Sequence, residues 1–179
     1  MKKGKSIYIR MFQPADARAL LALQEENRTF FERASMPRKD EFYTMDRQLE
    51  KVQEYEERSR EDQEYNFGIF TKESNRLVGT INLFQVMRGA LQSAFVGYFL
   101  DEKHNGRGFT TEAVKLIVDY AFAELQLHRI EAGVMPHNSG SMRVLEKAGF
   151  HKEGLARKNV KINGRWEDHQ VLAIINPED

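Results

Sequence analysis

The sequence predicts a mixed α/β fold: a mostly antiparallel sheet with helices on both faces. Three observations predict it. Strand-like runs over 65–71, 76–87 and 93–101 follow one another across short polar turns, which reads as a meander. An amphipathic helix then separates the strand at 93–101 from another at 128–135, the pattern of a β-α-β crossover inside a mixed sheet. Near the end, Asn163-Gly164 joins two further runs into a hairpin, because both residues tolerate positive φ.

The elements follow in order. "SIYIRMF" (6–12) is short, β-rich and roughly alternating, so it opens as a strand. Pro14 and Asp16 start a helix whose apolar positions Ala17, Leu20, Leu21 and Leu23 keep close to a 3.6 period. Residues 26–44 mix charges with aromatics and contain Pro37; they read as the helix end and a loop. Residues 45–62 are highly charged, with Leu49, Val52 and Tyr55 on one side, as in a surface helix. After the meander, Val114, Ile117, Val118, Ala121, Phe122 and Leu125 share one face of a helix over 111–125. A strand (128–135), a short helix (138–150) stopped by Gly149, and the last hairpin (155–162 and 165–175) complete the chain.

The 179 residues suit one domain, 1–179, with its own core. Lys+Arg and Asp+Glu are 27 each, so no chain-wide attraction to nucleic acid or anionic lipid is expected. The absence of cysteine removes disulfides, thiolate nucleophiles and cysteine metal ligands. The basic start "MKKGKSIYIR" lacks the apolar stretch of a signal peptide, and no window approaches a membrane span. A cytoplasmic protein without a direct membrane or nucleic-acid partner is expected. The histidines at 104, 128, 151 and 169 lack metal-ligand spacing, so no metal is expected.

The segment "HNGRGFTTEA" (104–113) opens the helix of the crossover. Gly106 and Gly108 permit positive φ and close approach of a ligand. A helix N-terminus offers free N–H groups and about half a positive charge, so a phosphate is welcome there. Arg107 adds a cation, Thr110 or Thr111 is placed to cap, and Glu112 suits the first turn. A plain strand-to-helix turn fits the same letters. Neither G-x-x-x-x-G-K-[ST] nor G-x-G-x-x-G is present, which argues against a nucleoside triphosphatase or a dinucleotide site. One strand later, "MPHNSGSMRVLEKAGF" (135–150) starts a second helix. The two helix N-termini are thereby carried on adjacent β-α units and can face one cleft.

"GYFLDEKHNGRGFTTEAVKLIVDYAF" followed by "HRIEAGVMPHNSGSMRVLEKAGFHKEG" resembles the GNAT acetyltransferase superfamily, within its RimJ/RimL branch. The likeness runs over nearly the whole chain, including "ENRTFFE", "MRG" and "INGRWEDHQVLA". It implies an enzyme that binds acetyl-CoA as co-substrate and transfers the acetyl group directly to an amine. The acceptor implied is a protein N-terminus, alanine of a ribosomal protein in the branch most resembled. A small amine (a polyamine, amino acid or aminoglycoside) is the alternative, and a non-catalytic acetyl-CoA-binding assembly protein a third. Either a monomer or a homodimer is compatible.

The resemblance assigns the pyrophosphate to the loop Gly106, Arg107, Gly108, Phe109, Thr110 and Thr111. Asn105 and Thr110 depart from the family's usual loop, but the backbone N–H groups remain. Phe99, Leu100 and Asp101 would contribute backbone contacts to the acetyl and pantetheine groups, and Asn138 a side-chain contact or a helix cap. Where the wider superfamily carries a tyrosine seven residues after this Asn, the chain has Leu145, which cannot donate a proton. Ser141 matches the serine that the branch places near the leaving sulfur. Glu131 and His137 are candidate bases. Asn27, Phe30, Phe31, Arg88 and Gly89 match segments expected to shape the acceptor groove; core packing is the other reading of the two phenylalanines.

Overall fold

A computed structural model of the chain describes residues 1–33, 35 and 38–179. Pro37, assigned above to the loop after the first helix, lies outside them. The strands are β1 (Lys2–Lys3), β2 (Ile7–Met11), β3 (Tyr65–Thr71), β4 (Leu77–Met87), β5 (Ser93–Leu100), β6 (Arg129–Val134), β7 (His151–Ile162) and β8 (Arg165–Ile175). The α-helices are α1 (Ala17–Glu26), α2 (Arg28–Glu32), α3 (Met45–Arg60), α4 (Phe109–Ala123) and α5 (Ser139–Lys147). One eight-stranded sheet runs in the order β1-β2-β3-β4-β5-β6-β8-β7. Only the β5–β6 pair is parallel, so the mixed, mostly antiparallel sheet stands.

Strand parity divides the core. Ile7, Ile9, Phe67, Ile69, Ile81, Leu83 and Val96 bury against Val114, Ile117 and Val118 of α4 and Leu145 of α5. On the opposite face, Phe70 and Leu77 pack with Leu20 and Leu23 of α1, Val52 of α3 and Phe31 of α2. Burial of each such side chain contributes roughly 1.5–3 kcal/mol, which fixes the strand register: a one-residue slip would exchange the faces.

Local signals explain the ends. Thr44 caps α3 by accepting from the Arg47 N–H at 3.3 Å. Gly149 ends α5 at φ +102°, with the Phe150 N–H returning to the Leu145 carbonyl at 3.0 Å. Asn163 and Gly164 take φ of +49° and +81° in the two-residue turn of the β7–β8 hairpin. Two elements differ from expectation. Residues 28–32, assigned to a loop, form α2 because Phe31 anchors the turn against Phe99, ring centroids 5.1 Å apart. The first strand is preceded by the two-residue β1, too short and polar to show a period.

Candidate active site

β5 and β6 pair over only three positions, Ser93 with Arg129 through Phe95 with Glu131. β5 runs on to Leu100, while β6 keeps its other edge in the β8 ladder to Val134. The sheet is therefore left unpaired along the second half of β5. A cavity of about 730 Å³ lies here, between β5, α2 and the starts of α4 and α5.

The loop into α4 is built from the backbone outward. Asp101 is buried at the end of β5; its carboxylate accepts from the Lys103 N–H at 3.3 Å and meets His104 Nδ1 at 2.9 Å. Burial raises its pKa, yet these bonds hold it below the usual carboxylate value. Asn27 reaches across from the end of α1: its Oδ1 accepts from the Glu102 N–H at 3.0 Å, and its Nδ2 donates to the Leu23 carbonyl. Asp101 and Asn27 thus shape the loop and do not line the cavity.

Gly106 and Gly108 both hold positive φ, +78° and +79°. A Cβ would meet nothing within 4 Å at either, so it is the backbone conformation that calls for glycine. α4 starts at Phe109, two residues before the expected start, with Gly108 as its N-cap. The expected threonine cap is not formed, because Thr110 and Thr111 already sit inside the first turn. Their N–H groups and that of Phe109 have no partner among the described residues. Glu112 turns away: its carboxylate accepts from the Ser6 and Ile7 N–H groups at 2.8 and 3.2 Å, tying α4 to β2.

Gly106, Gly108, Phe109, Thr110 and Thr111 all line the cavity; Arg107 does not. Arg33, Arg143 and Lys147 also line it, and none has an ion-pair partner among the described residues. No Asp or Glu lines it among those residues. The cavity is thus cationic at its rim and offers the open N-terminus of α4, a combination suited to several phosphate charges.

Asn138 caps α5, its Oδ1 accepting from the Ser141 N–H at 3.0 Å. The Ser141 hydroxyl lies 2.6 Å from the Tyr98 hydroxyl. Burial pushes the Tyr98 phenol up to about 12, against a smaller lowering from Ser141, so it stays protonated at neutral pH. Leu145, one turn further along α5, is fully buried in the core. The Tyr98 hydroxyl thus arrives from β5 beside the one that Ser141 offers from α5, while Leu145 is spent on the core. Sequence reasoning missed Tyr98. Its parity with Val96 and Leu100 places it on the α4–α5 face, and that was the available signal.

The other expectations divide. Phe99, Leu100, His137, Asn138 and Ser141 line the cavity together, as do Phe30 and Phe31. Phe31 is also 1 % exposed and part of the core, so wall and packing coincide there. Glu131 is not brought to the cavity; the Arg129 Nε holds its carboxylate at 2.8 Å. Arg88 and Gly89 sit in the β4–β5 turn, at the other end of β5, about 20 Å from Phe99 by the rise of an extended strand. There Arg88 bridges Asp62 and the Leu125 carbonyl, each at 2.6 Å, which secures the turn.

The acetyltransferase (GNAT) domain family matches residues 6–151. The chain belongs to the GNAT acetyltransferase family. This GNAT enzyme is an N-acetyltransferase related to the ribosomal-protein-alanine N-acetyltransferases. It is 66 % identical over 179 residues to the probable N-acetyltransferase YjcK of Bacillus subtilis (strain 168), covering 100 % of this chain and 99 % of that one. Its fold is similar to that of the ribosomal-protein-S5-alanine acetyltransferase of Vibrio fischeri, with a TM-score of 0.92 at 29 % identity over 98 % of this chain and 96 % of that one. It is also similar to RimJ of Mycobacterium smegmatis in complex with CoA-disulfide, with a TM-score of 0.88 at 28 % identity, over 96 % and 83 % of the two chains. Against that background, the GNAT enzyme's unpaired β5 edge and open α4 N-terminus are where a CoA-type co-substrate is to be sought. No helix among its described residues is long and apolar enough to cross a membrane.

Proposed function

We propose that the enzyme transfers an acetyl group from acetyl-CoA to the α-amine of a protein N-terminus, with an alanine of a ribosomal protein as acceptor. One observation carries the cofactor half: the open first turn of α4 and three cations without an ion-pair partner among the described residues line the same cavity beside the free edge of β5. Acetyl-CoA supplies the activated acetyl thioester. The N–H groups of Phe109, Thr110 and Thr111 take its pyrophosphate, and Arg33, Arg143 and Lys147 add charge around the phosphates. The backbone at Leu100, which faces away from β4, orients the pantetheine arm, while the Phe99 main chain is directed at β4. Similarity to ribosomal-protein-alanine acetyltransferases supports the acceptor half.

As the amine nitrogen bonds to the acetyl carbon, the carbon–sulfur bond breaks and the sulfur requires a proton. The Ser141 hydroxyl supplies it as it takes the proton of the Tyr98 hydroxyl 2.6 Å away, and Tyr98 recovers a proton from water in the open cavity. The amine begins with an ordinary pKa of about 8, so part of it is neutral near pH 7. His137, the candidate base that lines the cavity, receives the proton the amine gives up, directly or through water.

The test is release of free CoA from acetyl-CoA in the presence of peptides with N-terminal Ala, Ser or Met, alongside polyamines and aminoglycosides. Peptide turnover with N-terminal Ala preferred is the expected result. Turnover of small amines without peptides would overturn the acceptor assignment. The polyamine reading finds no support in the cavity, whose described lining holds no carboxylate. Part of the acidic run of α3 is spent on its own arginines: Glu50 and Glu54 on Arg47, and Glu56 on Arg60.

A further inference from the structure

Most cations on the α1–α3 side of the sheet are neutralised. Arg10 pairs with Asp16, Arg28 with Glu32 and Asp40, Arg47 with Glu50 and Glu54, and Arg58 with Glu64. Arg38 and Lys51 have no ion-pair partner among the described residues. Arg38 bonds a neutral amide, Gln24 Oε1, at 2.5 Å; Lys51 has no hydrogen bond among the described residues. Both sit against one ring: Arg38 Cζ and Lys51 Nζ each lie 4.4 Å from the Phe42 centroid. Arg38 is also 5.7 Å from the centroid of Phe99, which lines the co-substrate cavity. The uncompensated pair is one ring away from the reacting end of that cavity.

Two like charges sharing a partly dry site repel each other. Burial, then Arg38 and Arg47, push the Lys51 ammonium down to about 8. Glu54 and Glu64 act in the opposite direction but are already engaged. Glu54 is 2.7 Å from Arg47, and Glu64 takes both Arg58 at 2.9 Å and the Asn82 amide at 3.0 Å. An anion meeting both Arg38 and Lys51 would relieve the repulsion and find donors held partly out of water.

The sheet beneath offers a second unused group. Asn66, Asn82 and Gly97 form one row across β3, β4 and β5, next to the row Gly68, Thr80 and Phe99. Asn66 is 8 % exposed, and its Nδ2 has no partner among the described residues. A buried amide donor without an acceptor is costly, and a peptide carbonyl would satisfy it.

We propose that Arg38 and Lys51 form an acceptor-side anion site that takes a carboxylate carried near the acceptor amine, such as an acidic side chain at the second or third residue of a peptide. This rests on the α-amine reading above and narrows it to acceptors with an acidic residue close to the N-terminus. Asn66 then donates to the acceptor main chain. The α-carboxylate of a free amino acid is the other source of the same chemistry.

The test compares kcat/KM for peptides beginning Ala-Glu, Ala-Gln and Ala-Lys, and for free alanine and glutamate, in the wild-type enzyme, Arg38→Gln, Lys51→Met and Lys51→Glu. The wild type is expected to favour Ala-Glu over Ala-Gln by about tenfold, the factor that 1.4 kcal/mol carries. That ratio should fall toward one in Arg38→Gln and Lys51→Met, and Ala-Lys should gain in Lys51→Glu. Acetyl-CoA affinity measured alongside reports folding. Equal wild-type rates for the three peptides overturn the anion site while leaving the α-amine reading intact, whether or not the variants fold. Acetylation of free amino acids alone, still dependent on Arg38 and Lys51, supports the anion site and overturns a protein acceptor. Tight acetyl-CoA binding without turnover of any acceptor overturns both.

Discussion

Tyr98→Phe isolates one oxygen. The ring remains in its packing, and what is lost is the contact of 2.6 Å between the Tyr98 and Ser141 hydroxyls, with the longer one of 3.4 Å from the Tyr98 hydroxyl to the Ser141 carbonyl. If Ser141 protonates the departing sulfur, that contact strengthens as charge develops, in a site dry enough to push the phenol up to about 12. A charge-assisted hydrogen bond contributes about 1.5–3 kcal/mol. At 1.36 kcal/mol per decade, Tyr98→Phe should lower kcat by about 10- to 150-fold. Ser141→Ala should cost at least about 100-fold, as expected for removing a donor that acts on the transition state. The Ser141 N–H bond to Asn138 involves the backbone and survives that substitution. The Kd for acetyl-CoA should therefore move by less than about threefold in either variant, within the worth of one ordinary hydrogen bond. The decisive measurement is the double variant. Tyr98 acts through Ser141, so Tyr98→Phe should cost almost nothing further once Ser141 is alanine. Single-turnover rates with acetyl-CoA and an N-terminal Ala peptide give the four corners of the cycle. Full additivity would refute the coupling, and equal losses of kcat and acetyl-CoA affinity in Ser141→Ala would reduce Ser141 to a binding residue.

Further predictions test the loop, the rim and the frame. Gly108→Val places a β-branched residue at φ +79°, a conformation costing about 1–3 kcal/mol, and should weaken acetyl-CoA binding by about tenfold or more in calorimetry; unchanged affinity would contradict the loop assignment. Arg143→Gln should weaken acetyl-CoA binding by about tenfold at low salt and by less at high salt, since the Arg143 charge faces an open rim; a salt-independent loss would point to packing. Asp16→Asn should lower stability by about 2 kcal/mol in chemical denaturation, because it breaks the paired contacts of 2.6 and 2.7 Å with Arg10. Burial raises the Asp16 pKa, but Arg10 and the Gln13 N–H bring it below its ordinary value. A lowered carboxyl stabilises the fold above the unfolded value of about 4, and this contribution is lost as pH falls through the lower folded pKa. The wild type should thus lose more stability than Asp16→Asn on acidification below about pH 4; parallel losses would refute the linkage.

Much of the fold was legible because burial is one-sided. The periods of 3.6 in α1 and α4 and of two in β2 follow because each turns one side to the core, Ile7 and Ile9 in the case of β2. The Asn163-Gly164 turn was legible because its two positive φ values leave few residue choices. α2 was not, since its five residues are too few to display a period and its stability comes from Phe99, far along the chain. Tyr98 escaped for a related reason: in "SAFVGYFLD" every residue suits a strand, and the partner that gives its hydroxyl a role is Ser141, brought near only by the crossover. Segment likeness placed Arg88 in the acceptor groove, whereas its guanidinium secures the β4–β5 turn to Asp62 and the end of α4. Local resemblance identifies a segment but not which end of a strand it occupies.

The site follows from where the parallel pair stops. Had β5 and β6 stayed paired to their ends, the main-chain groups of Tyr98 and Leu100, which face away from β4, would have been spent within the sheet. Ending the ladder at Phe95 and Glu131 leaves the later part of β5 free to meet an extended ligand as another strand would. The same opening sets the positions of the helices. α4 leaves from the free end of β5 and α5 from the end of β6, so both N-termini border the gap. Side chains can then be exchanged between elements without moving the chemistry. Leu145 fills the core from α5, while β5 contributes a hydroxyl beside Ser141 through Tyr98. What has to be retained is a proton donor facing the gap, and the double-variant cycle at Tyr98 and Ser141 asks whether these two side chains form that donor.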